Sequence, residues 1–289
     1  MNTKLSGLPV REHIEKEIKN ITDRLEIKGV RPKLATIRVG DNDGDKFYEG
    51  AVRKRAAKYG FDCENIVLND NVTQEDLEAE VIKLNDDNNT DGVLLLMPFP
   101  QHINSQRVCA ILDPSKDVDA VTDKSYADLF ANRNAGDAFY ACTAQSCVEI
   151  LNYYGYKLRG KNVTIVGRSL RVGKPLMLMM MNENATVKVC HSKTREEDML
   201  ASCREADVVI LATGVTEGYG GKFFRDGQII IDVGTGKGKD GKIAGDLDID
   251  DVERAGLSIS YTPVPGGVGA VTTTILMMHV AAAAEMKNR

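Results

Sequence analysis

Apolar runs of strand length alternate with longer amphipathic stretches along the whole chain. This alternation is typical of parallel sheets covered by helices, so the pattern predicts an α/β fold. In the first half, strands are predicted over residues 33–40, 61–69 and 92–98, and helices near residues 46–58 and 73–85.

A second series of apolar runs follows in the second half of the chain. Strands are predicted there over residues 162–167, 185–190, 206–213, 228–234 and 257–262. Five successive strands indicate a complete Rossmann-like nucleotide-binding sheet. The Asn-, Gly- and Ala-rich stretch 132–140 separates the two series, so we predict two domains. Residues 1–140 form an N-terminal α/β domain, rejoined by an apolar C-terminal helix over 272–289, and residues 141–271 form the Rossmann-like domain.

Composition excludes several classes of protein. The 289 residues are 43% hydrophobic and 27% charged, which is enough apolar material for a sizeable core. The 37 basic and 42 acidic residues give a net charge of -5, which argues against nucleic-acid binding. No run reaches the roughly 18 apolar residues of a membrane helix, and the amino terminus lacks the pattern of a secretory signal. We therefore expect a cytoplasmic protein without a membrane partner.

Six cysteines are scattered without paired metal-ligand spacing, so we predict neither a disulfide framework nor a metal site. The adjacent pair Cys190 and His191 supplies only two of the three or four ligands that a zinc site needs.

Residues 163–175 read VTIVGRSLRVGKP and suggest a dinucleotide site. A buried strand leads into a turn with Gly167 and Gly173 and then into a helix start. Such a turn presents backbone N–H groups and a positive helix dipole to a pyrophosphate. The two glycines alone are equally compatible with an ordinary strand-to-helix turn that needs positive φ.

The end of the next strand bears on the choice of cofactor. A cofactor without a 2′-phosphate is usually held there by an acidic residue, and none follows this strand directly. Ser192, Lys193 and Arg195 follow it instead, with Arg168 and Arg171 in the earlier turn. These hydroxyl and cationic groups suit a 2′-phosphate and favour NADP, while NAD and a merely solvated basic loop stay open.

Several motifs occur in a specific order along the chain. They are VGDN at 39–42 followed by Tyr48, DGVLLLMPFP at 91–100, PSKDVDA at 114–120, GRSLRVGKP at 167–175, CHSKT at 190–194 and TPVPGGVGAVT at 262–272. Through them the chain resembles the methylenetetrahydrofolate dehydrogenase/cyclohydrolase family from about residue 33 to residue 284. The resemblance implies a two-domain enzyme, usually a homodimer, with folate in the cleft and the dinucleotide on the second domain. This family oxidises 5,10-methylenetetrahydrofolate and then hydrolyses the methenyl product.

The resemblance also assigns roles to particular residues. Tyr48 matches the active-site tyrosine beside the folate ring, and Asp119 matches the aspartate that contacts the pterin. The other positions implied to bind substrate are Val52, Leu95, Leu96, Met97, Pro265, Gly266, Gly267, Val268 and Gly269. Those implied to bind the dinucleotide are Gly167, Arg168, Ser169, Gly173, Ser192, Lys193 and Thr235. Without the resemblance, Tyr48 reads as a packing aromatic, Asp119 as a turn former or cap, and residues 265–269 as a simple turn.

The chain departs from the family pattern at two linked positions. The family's catalytic lysine, four residues after the tyrosine, is replaced by Val52, and the glutamine that supports this lysine is replaced by Leu96. Arg53 and Lys54 cannot substitute easily, because they lie about 140° and 240° around the helix from Tyr48. Further departures are Arg171 for an aliphatic residue, Ala120 for Gly, and Ala144 and Ala270 for Pro.

These departures affect the two half-reactions differently. Hydride transfer from the methylene carbon needs aligned reactants, since the folate nitrogens stabilise the resulting cation. Hydrolysis needs a general acid/base, typically worth about 10²- to 10⁴-fold. We therefore predict an NADP-dependent methylenetetrahydrofolate dehydrogenase with absent or very weak cyclohydrolase activity, whose product passes to a separate cyclohydrolase.

Three alternative functions stay open. The protein is a fully bifunctional enzyme in the first, and a non-catalytic folate- or nucleotide-binding protein in the second. In the third it is a related dehydrogenase that acts on another carbon carrier or on an amino or hydroxy acid.

Overall fold

The structure is a computed structural model that describes residues 2–133 and 138–289. The helices are α1 (Gly7–Ile27), α2 (Asp43–Lys58), α3 (Gln74–Asp86), α4 (Ser105–Ile111), α5 (Asp123–Phe130), α6 (Cys142–Tyr153), α7 (Gly173–Asn182), α8 (Glu196–Glu205), α9 (Ile249–Arg254) and α10 (Val268–Lys287). The strands are β1 (Thr3–Lys4), β2 (Lys33–Val39), β3 (Asp62–Leu68), β4 (Gly92–Leu95), β5 (Asn162–Val166), β6 (Thr186–Cys190), β7 (Val208–Leu211), β8 (Ile229–Asp232), β9 (Gly236–Lys237), β10 (Ile243–Ala244) and β11 (Ser260–Tyr261). The predicted α/β fold is confirmed.

The chain divides into two compact units. The first unit comprises His13–Cys142 and Thr273–Arg289, and the second comprises the amino-terminal residues up to Glu12 together with Thr143–Thr272. The predicted separating stretch 132–140 lies partly outside the described residues, because 134–137 are not described.

The first unit is built on a three-stranded parallel sheet in the order β3-β2-β4. Ala35, Ile37 and Val39 of β2 are buried in one core cluster with Leu77 and Val81 of α3. Because successive side chains of a strand point to opposite faces, Thr36 and Arg38 of β2 point toward the other face.

Side-chain caps set the starts of α2 and α3, the helices that follow β2 and β3. The carboxamide oxygen of Asn42 accepts from the backbone N–H groups of Gly44 and Asp45 at 2.8 and 3.2 Å. α2 therefore begins at Asp43, three residues earlier than predicted, because the turn-like sequence at 41–44 supplies the helix cap. The Thr73 hydroxyl caps α3 in the same way.

The second unit contains a six-stranded sheet in the order β1-β11-β8-β7-β5-β6, with every pairing parallel. β5 lies between β6 and β7, so the direction of winding reverses at β5. In open α/β sheets a ligand binds at this switch point, beyond the carboxyl ends of the strands.

The amino-terminal residues lie in a different unit from the one that the sequence predicted. Thr3 and Lys4 form β1, which pairs with Ser260 and Tyr261 of β11, so the residues up to Glu12 belong to the second unit rather than to a domain spanning 1–140. Two exposed residues that join a sheet only through their backbone carry no hydrophobic pattern, so the sequence did not predict this strand.

The C-terminal helix α10 begins at Val268, four residues before the predicted start. Among the described residues it is the one helix long and apolar enough to cross a membrane by length and composition. Most of it is buried inside the protein, as is common for the core helix of a globular domain.

Candidate functional site

The turn between β5 and α7 is built on two glycines that leave no room for a side chain. Gly167 has a φ of 132°, and a Cβ there would lie 2.3 Å from the carbonyl oxygen of Ala212. Gly173 is the first residue of α7, and its Cβ would lie 2.2 Å from the carbonyl oxygen of Gly167. The ends of β5 and β7 and the start of α7 therefore meet through backbone alone. Bare backbone at a helix N-terminus fits the pyrophosphate of a dinucleotide.

Ser169 shapes the loop that connects the two glycines. Its hydroxyl oxygen accepts from the backbone N–H of Val172 at 3.1 Å, and its carbonyl oxygen accepts from the backbone N–H of Lys174 at 3.0 Å. The hydroxyl keeps its own hydrogen for a further acceptor. Ser169 and the neighbouring Arg168 are both exposed, so both are available to a phosphate.

A tight turn follows β6. The His191 backbone N–H donates to the Thr194 hydroxyl oxygen at 2.9 Å, and His191 Nδ1 accepts from the Lys193 backbone N–H at 3.1 Å. The side chains of Ser192 and Lys193 are left exposed beyond the carboxyl end of the strand. This is where a Rossmann-like fold holds the adenosine ribose.

The basic residues near this edge are not equivalent. Arg195 makes two hydrogen bonds to the Asp198 carboxylate, at 2.7 and 3.0 Å, and an ion pair with Glu197 at 2.9 Å. The Asp198 carboxylate raises the pKa of the Arg195 guanidinium. In contrast, Arg168 and Lys193 make no ion pair with any described residue. Arg168 and Lys193 are therefore better placed than Arg195 to bind a 2′-phosphate.

Two buried carboxylates hold the loops after β7 and β8, and sequence reasoning missed both. Asp232 accepts from the backbone N–H groups of Gly234 and Leu247 at 3.0 and 2.9 Å, and burial raises its pKa to about 6. Asp246 accepts from the backbone N–H and hydroxyl of Thr213 at 2.7 and 2.8 Å. An acidic residue directly after a buried apolar run was the available signal for Asp232.

Thr235 lies exposed just beyond Asp232, on the loop that follows β8. A cavity of about 380 Å³ within the second unit is bordered by Asp232, Leu247 and residues 261–265. Pro265 therefore lines this cavity.

The remaining residues of the predicted loop 265–269 pack closely within the second unit. Gly266 has a φ of 103°, and its carbonyl oxygen accepts from the Gly7 backbone N–H at 2.8 Å. A Cβ at Gly267 would lie 2.5 Å from the carbonyl oxygen of Pro263. Val268 and Gly269 form the first turn of α10 rather than part of the loop.

In the first unit, α2 carries Tyr48 and Val52 one helical turn apart. Tyr48 is partly exposed, whereas Val52 is fully buried. Arg53 and Lys54 are exposed and therefore lie on other faces of the helix than Val52. Position 52, one helical turn after Tyr48, is thus an aliphatic core position in this chain.

The segment that begins in β4 supplies the other aliphatic positions. Leu95 and Leu96 are buried, and the Leu96 backbone N–H donates to the carbonyl oxygen of Ile37 at 2.9 Å. Met97 is partly exposed, and its Sδ lies 3.9 Å from the Sγ of Cys109. The side chain at position 96 therefore packs in the interior without an ionisable or amide group.

Asp119 is half-buried in a turn that several hydrogen bonds organise. One of its carboxylate oxygens accepts from the Cys142 backbone N–H at 3.2 Å. Asp117 is fully buried and accepts from the backbone N–H groups of Val121 and Thr122 at 2.9 and 2.8 Å. Ala120 has a φ of 52°, a left-handed conformation that explains why glycine suits this position.

Lys116 fixes the start of the same turn. Its ammonium is buried and donates to the carbonyl oxygens of Leu84, Asn85 and Asp87 at 2.7, 2.7 and 2.8 Å. A cation there satisfies the last carbonyls of α3 and complements the helix dipole. Burial lowers the pKa of the Lys116 ammonium.

A buried histidine lies behind Asp119. His279 Nδ1 lies 2.8 Å from the carbonyl oxygen of Val118, to which it donates, and its ring is 4.8 Å from the ring of Phe139. Burial lowers the pKa of the His279 imidazole to about 4, so the ring is neutral at physiological pH. The neutral ring supports the backbone of the residue that precedes Asp119.

Within the described residues, no group of three or more His, Cys, Asp and Glu side chains is arranged to hold a metal ion. None of the six cysteines, all of which lie within the described residues, forms a disulfide, and four of them are buried.

Gly167 and Gly173 form a glycine cradle at the switch point of the second sheet. This cradle places the chain among proteins with a Rossmann-like nucleotide-binding domain. Residues 141–288 match the family model described as the tetrahydrofolate dehydrogenase/cyclohydrolase NAD(P)-binding domain, and residues 5–119 match that of the catalytic domain. The chain belongs to the tetrahydrofolate dehydrogenase/cyclohydrolase family. It is thus an oxidoreductase of one-carbon folate metabolism, and the resemblance found in the sequence is confirmed.

Individual relatives cover nearly the whole chain. The bifunctional protein FolD of Clostridium perfringens is 39% identical over 281 residues, which are 97% of this chain and 98% of the relative. The crystal structure of a bifunctional FolD methylenetetrahydrofolate dehydrogenase/cyclohydrolase from Campylobacter jejuni is 33% identical, with a TM-score of 0.93 and 99% coverage of both chains. A Trypanosoma brucei homologue, solved with NADP cofactor and an inhibitor, is also 33% identical, with a TM-score of 0.92 over 100% of this chain and 99% of that one.

Proposed function

We propose that this protein oxidises 5,10-methylenetetrahydrofolate to 5,10-methenyltetrahydrofolate with NADP and has absent or very weak cyclohydrolase activity. One observation carries the second half of the proposal: Val52 is fully buried and Leu96 is 5% exposed, so two packed aliphatic groups occupy the positions of the family's lysine and glutamine. The alternative is the full bifunctional activity for which relatives such as the Clostridium perfringens protein are named.

We assign folate recognition in the first unit to Tyr48 and Asp119, with Val52, Leu95, Leu96 and Met97 as apolar neighbours. Residues 265–269 of the second unit are assigned to substrate binding through their backbone. The dinucleotide is assigned to Gly167, Arg168, Ser169, Gly173, Ser192, Lys193 and Thr235. The predicted domain bounds, 1–140 with 272–289 and 141–271, stay a proposal, amended so that the residues up to Glu12 belong with the second unit.

The oxidation needs little acid/base chemistry from the protein. When bound, NADP supplies the acceptor for a hydride from the methylene carbon. The electron pair of the broken C–H bond leaves with that hydride, a folate nitrogen lone pair forms the new C=N bond, and no proton has to move to a side chain. The chain's contribution is therefore to orient the folate ring and to hold the phosphates of the dinucleotide. Alignment of the two reactants raises the rate of hydride transfer.

Hydrolysis of the methenyl cation makes a different demand. A water molecule must lose a proton as it adds to the cation, and a ring nitrogen must gain one as the C–N bond breaks. A positioned general acid/base contributes about 10²- to 10⁴-fold to such a step. The methyl groups of Val52 and Leu96 accept and donate no protons, so methenyltetrahydrofolate is released to a separate cyclohydrolase.

The wild-type protein is expected to produce NADPH and methenyltetrahydrofolate in equal amounts from methylenetetrahydrofolate. Reduced dinucleotide and methenyl absorbance are recorded separately at several enzyme concentrations. Supplied methenyltetrahydrofolate should decay at the rate of buffer alone. Decay that rises in proportion to enzyme concentration would establish the bifunctional alternative, and absence of NADP reduction would leave a binding protein or a dehydrogenase with another substrate.

The preference for NADP over NAD is expected to depend on Arg168 and Lys193. The double variant R168Q/K193Q should raise the KM for NADP by about tenfold or more, because charge-assisted bonds to a phosphate are lost. The KM for NAD should change little. R195Q is the matched control, since Asp198 already engages that guanidinium. An equal loss with R195Q, or equal effects on NADP and NAD, would contradict the assignment.

We also propose that the protein is a cytoplasmic homodimer without nucleic-acid or membrane partners, as the family resemblance implies. β6 pairs only with β5 among the described strands and so leaves a free sheet edge. Light scattering of the purified protein tests the dimer directly.

A further inference from the structure

The face of the first sheet that carries the two departures from the family also contains a buried ion pair. Arg38 Nε lies 3.2 Å from a carboxylate oxygen of Glu49, and the two side chains are 8% and 13% exposed. Neither residue was singled out in the sequence, because a pair eleven positions apart meets only when α2 packs on β2.

The register places this pair beside both aliphatic replacements. Ile37 pairs with Leu95 at the end of β4, and the Leu96 backbone N–H donates to the Ile37 carbonyl oxygen at 2.9 Å. Because side chains alternate between faces, Leu96 and Arg38 therefore lie on the face opposite to Ile37. Glu49 and Val52 are three residues apart and share one face of α2. The ion pair thus occupies the same layer as Val52 and Leu96.

The pair belongs to a polar network that joins three segments. Glu49 also accepts from the hydroxyl of Thr36 at 3.2 Å, and the Thr36 oxygen accepts from the Asn65 amide at 2.9 Å. Arg38 Nη1 donates to the carbonyl oxygen of Gly40. One guanidinium therefore links the end of β2, the turn after it and the second turn of α2.

Stability alone does not account for such a pair. Replacing a buried ion pair with well-packed apolar residues is often neutral or stabilising, because desolvation costs offset the attraction. The pair instead fixes the orientation of α2 on β2. Charge-assisted hydrogen bonds are directional, whereas apolar contacts are not. Glu49 directly follows Tyr48, so fixing Glu49 on the sheet also fixes the rotation of α2 that places Tyr48 about 100° away.

We propose that Arg38 and Glu49 form a positioning pair that orients Tyr48 toward the folate substrate. The proposal rests on the proposed function, because it takes Tyr48 as a folate contact. Both residues act through α2 and touch neither substrate nor cofactor in this assignment.

The test removes both charges together, so that no uncompensated charge stays buried. The variant R38M/E49M should fold, with a KM for methylenetetrahydrofolate and a Kd for tetrahydrofolate each raised about tenfold, because misplaced reactants lose affinity and rate. The KM for NADP should stay within twofold. The conservative variant E49Q, which keeps acceptor oxygen for Arg38, should recover most of the folate affinity.

The control is R55M/E15M, which removes the Arg55–Glu15 ion pair of α2, with side chains 18% and 19% exposed, together with the Lys58–Glu15 ion pair. It should lower thermal stability without changing the KM for folate. An active wild type whose R38M/E49M variant keeps its folate KM and tetrahydrofolate Kd within twofold overturns the positioning role alone. A wild type that neither reduces NADP nor binds tetrahydrofolate in calorimetry overturns both the proposed function and this inference.

Discussion

The double variant V52K/L96Q is expected to hydrolyse methenyltetrahydrofolate at least about 100-fold faster than the wild type, the lower end of what a positioned acid/base group contributes. The lysine would lie one helical turn after Tyr48, and the glutamine would give its ammonium a polar partner beside the Arg38–Glu49 ion pair. Hydrolysis is followed as the loss of methenyl absorbance, after subtraction of the buffer rate.

The single variant V52K should gain less than about threefold. An amine placed at a fully buried position without a partner is destabilised in its charged form and finds no proton relay. The nearby carboxylate of Glu49 is already bonded to Arg38 and Thr36. The matched control is V52M/L96M, which fills similar space without polar atoms and should stay at the wild-type rate. A gain with V52K alone as large as with the double variant would show that the supporting amide is dispensable.

This prediction separates two demands that one family places on one site. Oxidation needs orientation, which Tyr48, Asp119 and the glycine cradle are assigned to provide, and it tolerates aliphatic neighbours. Hydrolysis needs an ionisable group held in place by other polar groups. Replacing both members of that pair avoids leaving one buried polar group unsatisfied, so the double change is the physically consistent route to losing hydrolysis.

The hydrophobic pattern was sufficient for the longer elements. β2 and β3 were predicted within about one residue at each end, because each is a half- or fully buried run bounded by turn residues. β1 was missed because Thr3 and Lys4 contribute backbone hydrogen bonds and no apolar side chains. The early start of α10 was missed because the glycines between positions 266 and 269 predicted a longer loop than the turn with Pro263 and Pro265 requires.

The candidate site was predictable only as far as motifs and local spacing reach. The Arg195–Asp198 ion pair joins i,i+3 neighbours, so it was predictable from the sequence. Arg38 and Glu49 were not, since their contact depends on how a helix rotates on a sheet. The roles of Asp232 and Asp246 also depend on loops that approach each other only in three dimensions.

The free energy of unfolding is expected to fall by about 2 to 3 kcal/mol between pH 7 and pH 4.5 because of His279 alone. Burial lowers the pKa of this imidazole from 6.5 to about 4, and the side chain is 4% exposed. As the pH falls below about 6.5, the unfolded chain binds a proton there while the folded chain does not. The stabilisation is therefore complete above pH 6.5 and is lost progressively toward pH 4.

Asp232 acts in the opposite direction over part of the same range. Burial raises its pKa from 3.8 to about 6, so the folded chain retains a proton that the unfolded chain releases, and this contribution is lost as the pH rises through 6. Urea unfolding of the wild type alone would mix the two effects. The comparison with H279N isolates the histidine, because the amide can still donate to Val118 while Asp232 is unchanged in both proteins.

The difference in unfolding free energy between the wild type and H279N should shrink by about 2 to 3 kcal/mol from pH 7 to pH 4.5. H102N, at an exposed position, should follow the wild-type curve. Parallel curves for the wild type and H279N would show that the imidazole is not held neutral behind Val118.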